Sequence, residues 1–229
     1  GCKLYDQHTK MLDFKAVLFD LDGTLLDTAP DFITAINAQL KRHGHNPLIG
    51  DVVRTSVTHG SIGIIENVYN IKQDHPEFEL LKEEFLELYL SKISEKTGLF
   101  DGLRQVLDSC EERNIPWGIV TNKPLRYTAP LMADLGLDKQ SATTICPDHV
   151  ANPKPDPEAL ILACSQIKIA PSDCIYIGDH IRDIQAGKSA GMRTIAAGWG
   201  YIEEFENITQ WQADWVVEKS ADLNSLLFS

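Results

Sequence analysis

No stretch of this 229-residue chain approaches the roughly 18 consecutive apolar residues that a membrane-crossing helix needs. Nor does the opening GCKLYDQHTKMLDF contain the apolar segment of a secretory signal, which argues against export by that route. Residues 1 to 10, polar and unpatterned ahead of Met11, read as a loose extension. There is no C-x-x-C pair. The five cysteines, Cys2, Cys110, Cys146, Cys164 and Cys174, are odd in number and scattered, so neither a disulfide framework nor a zinc cluster is expected, and a reducing cytoplasm fits best. Positive charge is scarce. With 21 Lys and Arg against 33 Asp and Glu, the net charge is −12, which argues against a protein that coats nucleic acid or anionic lipid. A local positive site for one small anion is still compatible with that balance. No G-x-G-x-x-G follows the first apolar run, which disfavours a dinucleotide-binding oxidoreductase. Internal repeats and low-complexity segments are also missing.

Apolar content, by contrast, is ample at 43%, enough for a sizeable core. Short β-rich runs recur as KAVLFD, PWGIVTN, ATTICP, DCIYIGD, MRTIAAG and ADWVVEK, each followed by a helical pattern. Strands without polar alternation predict a parallel sheet covered on both faces, hence a doubly wound α/β core. Between about residues 30 and 98 these runs nearly vanish. PDFITAINAQLKRHG places Phe32 or Ile33, Ile36 and Leu40 at helical spacing, with Pro30 suited to a first turn and Gly44 to a stop. PEFELLKEEFLELYLSKI repeats the pattern with Phe78, Leu81, Phe85 and Leu88. The predicted division is therefore a core of residues 1–29 and 99–229 with a helical cap, residues 30–98, inserted after the first strand. The glycine pair in TGLFDG, residues 97 to 102, marks the return.

In doubly wound sheets ligands bind beyond the carboxyl ends of strands. Four strand ends supply a set of candidates: Asp20 and Asp22, Thr121 and Asn122, Lys154, and Asp179 with Asp183. Crowded carboxylates need a counter-charge, and a hard divalent cation with oxygen ligands, most economically Mg²⁺, supplies it. Beside such a metal, Lys154, Thr121, Asn122 and backbone N–H groups after Asp20 suit a phosphate dianion. Phosphate-monoester hydrolysis is among the slowest uncatalysed reactions, and a carboxylate nucleophile divides it into two steps. Asp20 is the candidate nucleophile. Asp22, two residues on and in a different environment, is the candidate general acid/base.

DLDGT, VTNKP, NPKPDPE and GDHIRD together resemble the four ordered motifs of the haloacid dehalogenase-like hydrolases, across nearly the whole chain from residue 15. The resemblance implies Asp20 as nucleophile and Asp22 as acid/base, with the Asp22 backbone carbonyl and Asp20, Asp179 and Asp183 serving Mg²⁺. It also implies that Thr121 and Lys154 hold the phosphoryl group, with Gly23 and Thr24 beside it. Dehalogenases of this family lack the second aspartate, so Asp22 points to phosphate chemistry. A cap between the first two motifs is usual in the phosphoglycolate phosphatase-like branch, some of whose bacterial relatives act on N-acetylmuramic acid 6-phosphate. His180 stands where a small polar or acidic residue often follows the metal aspartate.

The implied function is a Mg²⁺-dependent phosphomonoesterase for a small phosphorylated metabolite, phosphoglycolate phosphatase-like first. N-acetylmuramic acid 6-phosphate hydrolysis and a sugar phosphomutase are the alternatives. A phospho-acceptor receiver domain, the non-enzyme rival, is near half this length and has no helical insertion. In the cap, RTSVTHGSIG offers Arg54, His59, Gly60 and Ser61 as substrate-binding candidates, with Gly60 and Gly63 permitting a tight loop. An ordinary helix connection explains that stretch equally well. Asp27 and Thr28 are expected to organise a turn and helix start, and Cys146, Asp148 and His149 to be structural rather than ligands.

Overall fold

The computed structural model describes residues 12–229, so the predicted N-terminal extension and Cys2 lie outside the described residues. The first strand, β1 (Ala16–Phe19), is buried at every position. Its side chains alternate between two cores: Val17 and Phe19 join the larger apolar cluster, Ala16 and Leu18 the smaller one across the sheet. This two-residue period with both faces covered is why the strand carries no polar alternation.

The chain continues through β2 (Leu26–Asp27) into four helices: α1 (Ala29–Arg42), α2 (Gly50–Arg54), α3 (Gly60–Tyr69) and α4 (Phe78–Ser91). It returns at β3 (Gly98–Leu99), which pairs antiparallel with β2. Each strand of this pair has only two residues, too few for a sequence pattern, and it sets the two ends of the helical segment side by side. The carboxylate of Asp31, buried in the first turn of α1, reinforces that junction by accepting hydrogen bonds from Lys96 N, Thr97 N and Thr97 Oγ1.

The remainder alternates α5 (Leu103–Glu112), β4 (Trp117–Val120), α6 (Leu125–Asp134), β5 (Thr144–Ile145), α7 (Glu158–Ile167), β6 (Cys174–Gly178), α8 (Ile181–Ser189), β7 (Arg193–Ala197), β8 (Trp215–Val217) and α9 (Leu223–Phe228). All six predicted strands form one parallel sheet in the order β5-β4-β1-β6-β7-β8. Strand order reverses at β1, with β4 on one side and β6 on the other. The crevice beyond their carboxyl ends is where such a sheet binds ligands.

Helix α1 begins with proline in its first turn and buries Phe32, Ile36 and Leu40 as the periodicity predicts. In α4 the buried stripe is Phe78, Phe85 and Tyr89 rather than one passing through Leu88, which is only partly covered. Phe32 lies parallel to Tyr89, ring centroids 3.9 Å apart. The expected tight loop at residues 54–63 is instead a 3₁₀ turn, Thr55–His59, running into α3. Gly60 has φ +66 at the junction, and Gly63 sits inside the helix, where a Cβ would come within 2.3 Å of His59 Cβ. Among the described residues, no helix is long and apolar enough to cross a membrane.

Candidate active site

Asp20 follows the last residue of β1, its N–H bonded to Ile177 O on the neighbouring strand. Asp179 follows β6, and Asp183 lies in the first turn of α8. Because Phe19 pairs with Ile177, the three carboxylates converge, each offering an oxygen within 4.8 Å of the others. All three are buried. Lys154 Nζ sits behind them, 2.7 Å from Asp183 Oδ1 and 3.2 Å from Asp20 Oδ1, and also donates to Val120 O and Tyr176 Oη.

Burial and the Asp183 charge push the Asp20 carboxyl up to about 6, with Lys154 and Arg182 pulling the other way. Burial, Asp20 and Asp183 push Asp179 well above the usual carboxylate range. Asp183, held against burial by Lys154 and Arg182, stays below it. Two of the three carboxylates are therefore harder to ionise than an ordinary carboxylate, a cost that a cation would relieve, and an all-oxygen donor set suits a hard divalent ion. The donors are held in place. Tyr201 N and Thr24 Oγ1 bond Asp179, and Asp183 caps α8 through the His180 N–H while its other oxygen takes Lys154. His180 in turn accepts from Arg182 N, and burial with Arg182 nearby lowers its imidazole to about 4.

Asp22 points elsewhere. Its Oδ1 accepts from Thr28 Oγ1 at 2.5 Å and from Lys123 Nζ at 2.9 Å, so its carboxylate stays outside the acidic cluster. Thr28 precedes α1 without a side-chain capping bond, so its hydroxyl serves Asp22 rather than the helix start.

Several expected contacts differ. Gly23 and Thr24 do not line the cavity: their N–H groups bond Leu26 O and Leu21 O. Gly23, at φ +81, instead lets Asp179 approach so closely that a Cβ would sit 2.2 Å from its Oδ2. Leu21 N bonds the Asp20 carboxylate itself. The anticipated row of free N–H groups after Asp20 is thus largely spent within the turn. Thr121 and Asn122 do line the cavity, Thr121 being fixed by its N–H to Ile145 O. The Asn122 side chain, however, pairs reciprocally with the Lys154 backbone and positions that loop.

Arg54 is absent from the cavity wall; it pairs with Asp27 Oδ1 at 2.9 Å and lies over the Tyr201 ring. His59, Gly60 and Ser61 do reach the wall. Asp148 bonds Leu125 N, and His149 accepts from Cys146 N, structural roles both. The cavity, about 310 Å³, joins Asp20, Asp22 and Thr121 to an apolar side made of Phe32, Val57, Leu86, Tyr89 and Tyr127. Lys123 and Arg182 complete it. Neither was a candidate from the sequence. Lys123 stands inside VTNKP, yet its use depends on Tyr89 and Phe32, which approach only through the packing of α1 and α4.

The family model described as haloacid dehalogenase-like hydrolase matches residues 17–197. The chain is 43% identical over 218 residues to the N-acetylmuramic acid 6-phosphate phosphatase of Pseudomonas aeruginosa, covering 95% of this chain and 96% of that one. It is 39% identical to the phosphoglycolate phosphatase of Xylella fastidiosa, covering 90% of this chain and 89% of the relative. Among solved structures, it is similar to a predicted phosphoglycolate phosphatase from Haemophilus somnus. That likeness has a TM-score of 0.81 at 25% identity and covers 94% of this chain and 99% of the other.

Proposed function

This chain belongs to the haloacid dehalogenase-like hydrolases and is a phosphatase, and from that premise we propose that it hydrolyses a small phosphomonoester through a phosphoaspartate on Asp20. The observation that carries the reading is the divergence of two carboxylates separated by a single residue. Asp20 enters the acidic cluster beside Lys154, while Asp22 is held by Thr28 and Lys123 on the cavity side.

In the first step an Asp20 oxygen attacks phosphorus and the ester P–O bond breaks. Asp22 delivers its proton to the departing oxygen. In the second step water attacks the phosphoaspartate, Asp22 takes the proton, and inorganic phosphate leaves with Asp20 restored. Thr121, with Lys154 behind Asp20, steadies the phosphoryl oxygens. Mg²⁺, held by Asp20, Asp179, Asp183 and the Asp22 carbonyl, would supply the positive charge that lets Asp20 stay ionised beside an anionic ester. Residues 30–98 act as a cap, whose Phe32, His59, Gly60, Ser61 and Tyr89 close the cavity over the leaving group.

Phosphoglycolate, the two-carbon acid named for several relatives, is the first substrate to test. N-acetylmuramic acid 6-phosphate is a second, favoured by a cavity with more room and apolar wall than a two-carbon leaving group fills. Inorganic phosphate released in large excess over enzyme, with kcat/KM compared between the two esters, tests both the reaction and the substrate. Phosphate transfer within a sugar without release would indicate the mutase alternative instead.

A further inference from the structure

We propose that Lys123 is a specificity-determining residue that binds a carboxylate on the leaving group, so that the substrate is a phosphorylated acid rather than a neutral phosphate ester. The inference rests on the phosphatase reading of the same cavity.

An ammonium has three donors. Among the described residues Lys123 Nζ has two hydrogen-bond partners, Asp22 Oδ1 at 2.9 Å and Tyr89 Oη at 2.5 Å, leaving one donor for the cavity it lines. Its surroundings otherwise are aromatic, with Nζ 4.7 Å from the centroids of both Phe32 and Tyr89. The side chain is only 6% exposed, so water does little to offset its charge. The other cations have different neighbours. Lys154 is engaged by Asp20 and Asp183, and Arg182, whose charge also acts on those two aspartates, donates to Thr58 O. Among the described residues, Lys123 is the cation paired with Asp22, the residue that would protonate the departing oxygen. A pinned, desolvated cation with a spare donor attracts an anionic group of the leaving alcohol, and a neutral hydroxyl there would leave that donor poorly matched.

Two pairs of esters test this: 2-phosphoglycolate against 2-hydroxyethyl phosphate, in which a hydroxymethyl group replaces the carboxylate, and N-acetylmuramic acid 6-phosphate against N-acetylglucosamine 6-phosphate, which lacks the carboxylate-bearing lactyl ether. The first places the carboxylate beside the ester oxygen, the second across a sugar ring, so the pair that discriminates identifies the source of the acid. In at least one pair the wild-type enzyme should favour the acid in kcat/KM by roughly 10- to 100-fold, the worth of one charge-assisted hydrogen bond. Lys123→Met should bring that ratio close to one, and Lys123→Arg should retain part of it. Using the ratio cancels any effect of the substitution on Asp22. No preference in either pair overturns the inference while the phosphatase reading stands, as does an unchanged ratio in Lys123→Met. Failure to release phosphate from these esters and from an aryl phosphate overturns both.

Discussion

Lys154 Nζ and Asp183 Oδ1 lie 2.7 Å apart with side chains 1% and 0% exposed, a fully desolvated ion pair at the back of the acidic cluster. Removing one partner leaves a buried charge without compensation, at a cost of about 3–5 kcal/mol. Lys154→Met should therefore lower the melting temperature by roughly 10 °C. Adding Asp183→Leu should recover part of that loss, although activity stays absent. Additive losses in the double variant would show that the pair is not coupled.

The raised Asp20 carboxyl predicts a pH dependence in metal-free protein. Its pKa of about 6 in the fold, against 3.8 ordinarily, means that the folded state keeps a proton there which the unfolded chain releases. The contribution of Asp20 to stability is therefore present below pH 4 and falls as pH rises toward 6, by on the order of 3 kcal/mol. His180, lowered to about 4, works in the opposite direction: its contribution is present above pH 6.5 and lost as pH falls toward 4. Asp20→Asn isolates the first effect. In chelator, the variant should gain roughly 5–10 °C over wild type between pH 4 and 7. Millimolar Mg²⁺ at pH 7 should raise the melting temperature of wild type but scarcely that of the variant. The same substitution should abolish phosphate release, and retained turnover would rule out Asp20 as the nucleophile.

Gly23 lies against Asp179 and off the cavity wall. With φ +81 and only 2.2 Å between a Cβ and Asp179 Oδ2, Gly23→Ala must displace that carboxylate. The expected result is a Mg²⁺ activation constant raised about tenfold or more, with a smaller change in the substrate KM measured at saturating metal. A variant with wild-type metal dependence would contradict this placement.

Arg54 gives the converse case. The sequence nominates it as a substrate contact, but its guanidinium is engaged by Asp27 and Tyr201, half-exposed and off the cavity wall. Arg54→Ala should change kcat/KM for 2-phosphoglycolate and for an aryl phosphate by the same factor, with stability altered by about 1 kcal/mol or less. A KM effect confined to 2-phosphoglycolate would restore Arg54 to substrate selection.

Much of the site is readable because its parts are local. KAVLFD shows a strand covered on both faces; strand alternation would send Asp20 and Asp22 to the same side, and they part because the chain leaves the strand after Phe19 and turns around Leu21. GDHIRD places Asp179 and Asp183 at one strand end, and the structure adds that His180 and Asp183 form a capping box at the start of α8. Less was readable where a residue's local setting is silent. Thr28 looks like a helix cap but holds Asp22, and Asn122 looks like a phosphate donor but staples the Lys154 loop.

The sequence by itself supplied the chemical groups: strand ends that carry carboxylates and a hydroxyl, a proline-rich loop that carries Lys154, and a crowding of carboxylates that a cation would relieve. Periodicity and turn chemistry act over a few residues, so those features survive without a fold. Only the tertiary structure decided which polar atoms meet. Lys123, Tyr89 and Phe32 come from three separate elements, and Gly23 meets Asp179 because β1 lies against β6. Such encounters follow from long-range packing, and they decide which cation joins the acidic cluster and which stands with Asp22 on the cavity wall.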